Sequence, residues 1–169
     1  VYDKALSTDD NGRPWPMNDG KMPTGRAMSV ESGIASSVNT IAVQVLNALT
    51  PQKSFDFLTQ RLGFADSLVS SRTEADGRVS TDIALAPLAL GGLTDGVTVR
   101  DMAGGFATFI NEGVYGGTRT YTQVTDSEGN VVLENTPSPD LGFENVRTAY
   151  YMLDCLQNVT AYGTASGTQ

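Results

Sequence analysis

Histidine is absent from the 169 residues. With it go Ser-His-Asp nucleophilic catalysis and the commonest metal ligand. Proton transfer near neutral pH is left to Lys, Asp, Glu, Tyr or a group from outside the chain. A single cysteine, Cys155, forbids an internal disulfide and leaves too few soft ligands for a zinc centre, so no metal and no other cofactor is expected. No apolar run approaches the roughly 20 residues that cross a bilayer, and no signal peptide opens the chain. Positive charge is scarce as well. Eleven Lys and Arg against 19 Asp and Glu give a net charge of -8. That balance argues against nucleic acid, whose phosphates need a basic footprint, and against an anionic membrane face through this segment.

What is present suffices for one folded domain: apolar residues make up 40% and charged residues 18% of the chain, a globular balance. From Val1 to Arg26 the text is rich in Asp, Asn, Gly and Pro. Asp9-Asp10-Asn11-Gly12 reads as a turn, and prolines at 14, 16 and 23 forbid regular helix. Ser29 begins a short helix with Glu31 in its first turn, where the helix dipole favours a carboxylate. Ile41, Val45 and Leu49, with Ala42 and Leu46, recur at helical steps. Thr50-Pro51 ends that helix and starts another, with Phe55, Leu58 and Leu62 as its buried stripe and Gly63 as a left-handed cap. Residues 65–83 read as polar surface loop, with a turn at Asp76-Gly77-Arg78. Residues 84–93, small and apolar, end in Gly91-Gly92 and are expected to pack closely on a neighbour. Thr98 and Asp101 form a capping box for a helix with Met102, Phe106 and Ile110 on its inner face, closed by Gly113. The period then changes to two strands, 120–125 and 131–133, joined across 126–130. Asp126-x-Glu128-Gly129 fits that turn better than a calcium loop. Pro137 and Pro139 mark a loop. Asn145 caps a last helix with the stripe Val146, Ala149, Tyr150, Leu153 and Leu156. On pattern alone the fold class is α+β.

The chemistry concentrates in 32–44, Ser-Gly-Ile-Ala-Ser-Ser-Val-Asn-Thr-Ile-Ala-Val-Gln. Asn39 or Thr40 is placed to cap the following helix. Ser37 and Asn39, two residues apart, face the same way if the backbone between them is extended or turn-like. A hydroxyl beside a carboxamide suits a proton relay and the holding of a peptide. Trp15, the lone tryptophan, reads as a core anchor under a loop or as a wall of a substrate cleft.

Ser37-Val38-Asn39 resembles the Ser-x-Asn motif of penicillin-binding proteins. Trp15-Pro16-Met17-Asn18 is similar to the lead-in to that motif in the bifunctional, class A members. Residues 88–98, around Gly91-Gly92-Leu93-Thr94-Asp95-Gly96, and the helix at 102–115 resemble further blocks of the same family, in the same order. The resemblance implies an internal part of a transpeptidase domain. It would be chiefly the helical subdomain of the penicillin-binding transpeptidase and serine β-lactamase-like fold, plus a short β-hairpin, with the central sheet incomplete. The parent would cross-link peptidoglycan stem peptides by serine acyl transfer, bind β-lactams and work outside the cytoplasmic membrane. Ser37 would join the proton relay, Asn39 would hold the stem-peptide amide or the β-lactam, and Trp15 would flank the substrate.

Two family signatures are missing. None of the three lysines, Lys4, Lys21 and Lys53, follows a serine by three residues, and no Lys-Thr-Gly occurs. The expectation is that residues 1–169 lack the nucleophile helix before them and the Lys-Thr-Gly strand after them, and are inactive alone. Self-association through apolar surface left open is a further expectation. A reading of another class stands beside this one: a non-catalytic scaffold or sensor that keeps the family's framework for protein contacts.

Overall fold

Local chemistry sets the start of most helices. The computed structural model describes residues 1–136 and 139–167. The chain opens with β1 (Ser7–Thr8) and β2 (Pro14–Trp15), an antiparallel pair turned by Asp9, whose carboxylate accepts from the amides of Asn11 and Arg13 at 2.9 Å each. Next come α1 (Val30–Ala35), α2 (Asn39–Leu49) and α3 (Pro51–Arg61). Ser29 caps α1 by accepting from the Ser32 amide at 3.0 Å. Thr50 caps α3, with Pro51 in its first turn as the sequence predicts. There follow β3 (Arg72–Thr73), β4 (Val79–Ser80), α4 (Leu85–Leu90), α5 (Val99–Ile110), β5 (Val114–Tyr115), β6 (Gln123–Thr125), β7 (Val131–Glu134), β8 (Asp140–Leu141) and α6 (Val146–Ala161). Among the described residues the strands form only two-stranded antiparallel ladders, β1–β2, β3–β4, β5–β8 and β6–β7. The architecture is α+β, mainly helical, with no central sheet among the described residues.

Two packed regions hold it together. Phe55, Leu62, Phe64 and Leu68 form a buried cluster, with Leu58, Leu88 and Tyr115 against it. Above it Phe57, Phe143 and Phe109 stack in series, with centroids 5.6 and 5.3 Å apart. The second region joins α1 to both α2 and α6, with Ala35, Ile41, Val43 and Leu46 buried in α1 and α2.

Several expectations are corrected. Residues 65–83 are not plain surface loop: they contain the β3–β4 hairpin, buried Leu68 and fully buried Asp82. One Asp82 oxygen accepts from the Val69 amide (2.8 Å); the other takes the Thr94 amide and hydroxyl (2.7 Å each). A carboxylate surrounded by donors reads as polar sequence although it sits inside. Met102, Phe106 and Ile110 do not line the inner face of α5. They are 40%, 49% and 74% exposed, while Asp101, Gly104, Gly105 and Thr108 are buried. The glycine pair explains the rotation: a Cβ on Gly105 would lie 3.0 Å from the Phe64 ring and one on Gly104 2.6 Å from Thr118. Small residues let the neighbours close in, and the bulky face turns out. In α2 Val45 and Leu49 are exposed, and in α6 so are Val146 and Tyr150. Residues 84–93 do pack on a neighbour, through α4 on α2, while Gly91 and Gly92 border open space and Gly91 serves as the left-handed cap at φ 79°. The predicted 120–125 strand is only Gln123–Thr125, and the β6–β7 hairpin is exposed throughout. Pro137 lies outside the described residues; Pro139 is in neither helix nor strand.

Candidate functional site

The candidate site forms where α1 gives way to α2. Ser37 adopts φ 53°, a left-handed conformation uncommon outside glycine, and its amide donates to the Ile34 carbonyl at 3.1 Å. The next amide, of Val38, returns to the Gly33 carbonyl at 2.8 Å. This tight reversal leaves Ser37 exposed and starts α2 at Asn39.

The expected caps are not the ones used. The residue before α2 is Val38, which has no capping side chain. Asn39 instead donates its side-chain amide to the Met17 carbonyl at 2.8 Å. Thr40 is fully buried, and its hydroxyl donates to Asp3 Oδ1 at 2.7 Å. The orphan Thr40 amide is satisfied from a distant segment, by Asn18 Oδ1 at 3.2 Å. The N-terminal loop therefore does the capping, because Asp3 fixes where Asn18 and Thr40 sit. Asp3 also accepts from Asn18 Nδ2 (2.7 Å) and from the Thr24 amide and hydroxyl (2.8 and 2.7 Å). Burial would raise its carboxyl, but the bonds from Thr40, Thr24 and Asn18 outweigh that and hold it at about 2.

Ser37 and Asn39 line one polar hollow of about 560 Å³, together with Asn18, Asp19, Lys21 and Thr164. They also border an apolar hollow of about 440 Å³ walled by Val30, Ile34, Val45, Leu49 and Leu88. The pair thus stands on the seam between a charged chamber and a greasy one. Asn39 spends one amide hydrogen on Met17, and a carboxamide has a second hydrogen and a carbonyl besides. Thr164 reaches the wall because Gly163 has no Cβ to collide with the Ala35 carbonyl; the Thr164 amide donates to that same carbonyl at 3.0 Å.

Trp15 is not brought to this hollow. It lies half-buried in β2 opposite Ser7, and neither hollow has it in its wall. Sequence reasoning missed Lys21 and Asp19 as wall residues. Spacing from a serine does not find Lys21. The signal that places both is Asp19-Gly20, a two-residue turn with positive φ at both positions, which pairs Asn18 with Lys21. Among the described residues no cluster of His, Cys, Asp and Glu is arranged to hold a metal ion. No described helix is long and apolar enough to cross a membrane.

No family model matches the chain. Among curated proteins, penicillin-binding protein 1A of Clostridium novyi is 38% identical over 85 residues, 50% of this chain and 10% of that protein. Penicillin-binding protein 4 of Bacillus subtilis is 29% identical over 137 residues, 81% of this chain and 20% of that protein. Penicillin-binding protein 1A of Clostridium acetobutylicum is 29% identical over 98% of this chain and 20% of its own length. The chain thus spans 10% to 20% of the relatives it matches. Among solved structures, penicillin-binding protein A from M. tuberculosis, as an imipenem acyl-enzyme complex, superimposes with a TM-score of 0.61. The match has 16% identity and covers 85% of this chain and 34% of that one.

Proposed function

We propose, from the premise that this chain has the fold of a penicillin-binding transpeptidase and resembles penicillin-binding proteins in sequence, that it forms the Ser37–Asn39 wall of a serine acyl-transfer site. The parent protein, in this reading, cross-links peptidoglycan stem peptides outside the cytoplasmic membrane and is acylated by β-lactams. The nucleophilic serine and its lysine, and the Lys-Thr-Gly strand, come from polypeptide beyond these 169 residues. Residues 1–169 are then one part of the transpeptidase domain.

One observation carries the reading. Ser37 and Asn39 face the same open hollow, with Ser37 held in a left-handed turn and Asn39 braced by Met17. A strained non-glycine residue facing a hollow is where function is to be sought. In this role Ser37 relays a proton toward the leaving amine through its hydroxyl, which both donates and accepts. Asn39 uses its uncommitted amide hydrogen and carbonyl on the backbone of the stem peptide. Lys21, on the same wall, adds positive charge suited to a substrate carboxylate.

Labelling with a fluorescent penicillin tests this. In the full-length protein, Ser37→Ala and Asn39→Ala are expected to slow acylation by about a hundredfold, the lower range for loss of a positioned acid–base group. Unchanged labelling of both variants would overturn the assignment. The 169-residue chain alone should take no covalent label, since it holds no Ser-x-x-Lys.

A further inference from the structure

We propose that Asp3 is a positioning residue for Asn39, setting that side of the site from 36 positions earlier in the chain. Its consequence for a substrate rests on the acyl-transfer reading above; the geometry does not. Asp3 is 3% exposed, and its two oxygens face different structures. Oδ2 takes the amide and hydroxyl of Thr24 and serves the loop. Oδ1 takes the Thr40 hydroxyl and the Asn18 side-chain amide, both at 2.7 Å, and serves the start of α2.

Those last two contacts close a ring. Asn18, oriented by donating to Asp3, must present its carbonyl oxygen elsewhere, and that oxygen accepts from the Thr40 amide. Asp3, Asn18 and Thr40 thus fix one another. Each of the latter two is the chain neighbour of a partner in the next bond out: Met17 precedes Asn18, Asn39 precedes Thr40, and Asn39 donates to Met17. The ring therefore clamps the side chain of Asn39 in one orientation, and Asn18 shares the wall of the hollow with it. An ionised carboxylate, which only accepts, is the group that can meet four converging donors. Neither an amide nor a neutral acid can do so without turning a hydrogen toward another.

The split between the two oxygens supplies the test. In the 169-residue chain, hydrogen exchange of the Thr40 amide and of the Asn39 side-chain amide is followed by NMR, with the Val69 and Thr94 amides on Asp82 as an internal reference. Thr40→Val removes only an Oδ1 donor, and Thr24→Val removes only an Oδ2 donor. Thr40→Val and Asp3→Asn are expected to speed exchange at both probes by about tenfold while the reference amides stay fixed. Thr24→Val should leave the probes within about twofold of the unmodified chain. The proposal is overturned if Thr40→Val leaves the Asn39 signals unmoved. It is overturned equally if Thr24→Val moves them as much, or if the reference amides loosen in parallel, since either marks a plain loop anchor. Should Asp3→Asn fail to fold, the two threonine variants decide alone. No penicillin enters this measurement, so it can fail while the acyl-transfer reading stands, and the reverse.

Discussion

Asp3 and Asp82 carry much of the order in the parts of the chain that lack regular structure. Asp82 is fully buried and takes three hydrogen bonds, from Val69 and from both donors of Thr94. Asp82→Ala would strand those donors. The expected loss is about 3 kcal/mol in urea unfolding, the range for hydrogen bonds to a buried charge. Both carboxyls titrate below their ordinary value despite burial, because donors outweigh desolvation. The sign of the pH dependence follows. Each depressed group contributes stability that is fully present above its unfolded value near 3.8 and is lost as pH falls through its folded value, about 2 for Asp3. Thermal midpoints should therefore hold steady down to about pH 4 and drop below it. Asp3→Asn should remove part of that slope, and an unchanged slope would contradict the role given to Asp3. Neither carboxylate was legible in the sequence. Thr40, which binds Asp3, is 37 positions away, and Thr94, which binds Asp82, is 12 away. No local pattern spans such gaps.

At the scale of single elements, what was legible divides along the same line. Ser29, Thr50, Thr98 and Asn145 each cap the helix expected of them, accepting from an amide two or three residues on, where local sequence decides. The facing of α5 was misread because hydrophobic periodicity assumes that the bulky residues go inside. Here the closest contacts are made by Gly104 and Gly105. Gly105→Leu should consequently disrupt folding, whereas Ile110→Gln, at a position 74% exposed, should shift stability by no more than about 0.5 kcal/mol. Comparing the two melts tests the orientation of the helix. Thr50 offers a second test. It caps α3 at φ 84° and ψ 141°, a region that β-branched residues avoid. Thr50→Gly relieves that strain while forfeiting only a 3.5 Å cap bond. A gain of about 1 kcal/mol in thermal or urea unfolding is expected; a loss would show the cap to be worth more than the strain.

Over the whole molecule, large apolar side chains are left open in contiguous faces. Val99, Met102, Phe106 and Ile110 expose one face of α5, and Tyr150 and Tyr151 project from α6. Such a surface should bind a hydrophobic dye in the folded state and promote self-association. Sedimentation of the 169-residue chain across a wide concentration range should show a rising average mass, and a concentration-independent monomer would count against that expectation. The α+β class was readable from sequence. The meeting of α1 with α6 was not, because it joins the two ends of the chain: Asn158 donates to Glu31 across 127 positions, and the Thr164 amide reaches the Ala35 carbonyl beside Ser37. On a ribosome adding roughly 5–20 residues each second, the Ser37 turn emerges about 6–25 s before its last supporting strut. For that interval α2 already has α3 and α4 to pack on, and α1 alone stands without its α6 neighbour, so the last step of synthesis completes the support behind the turn.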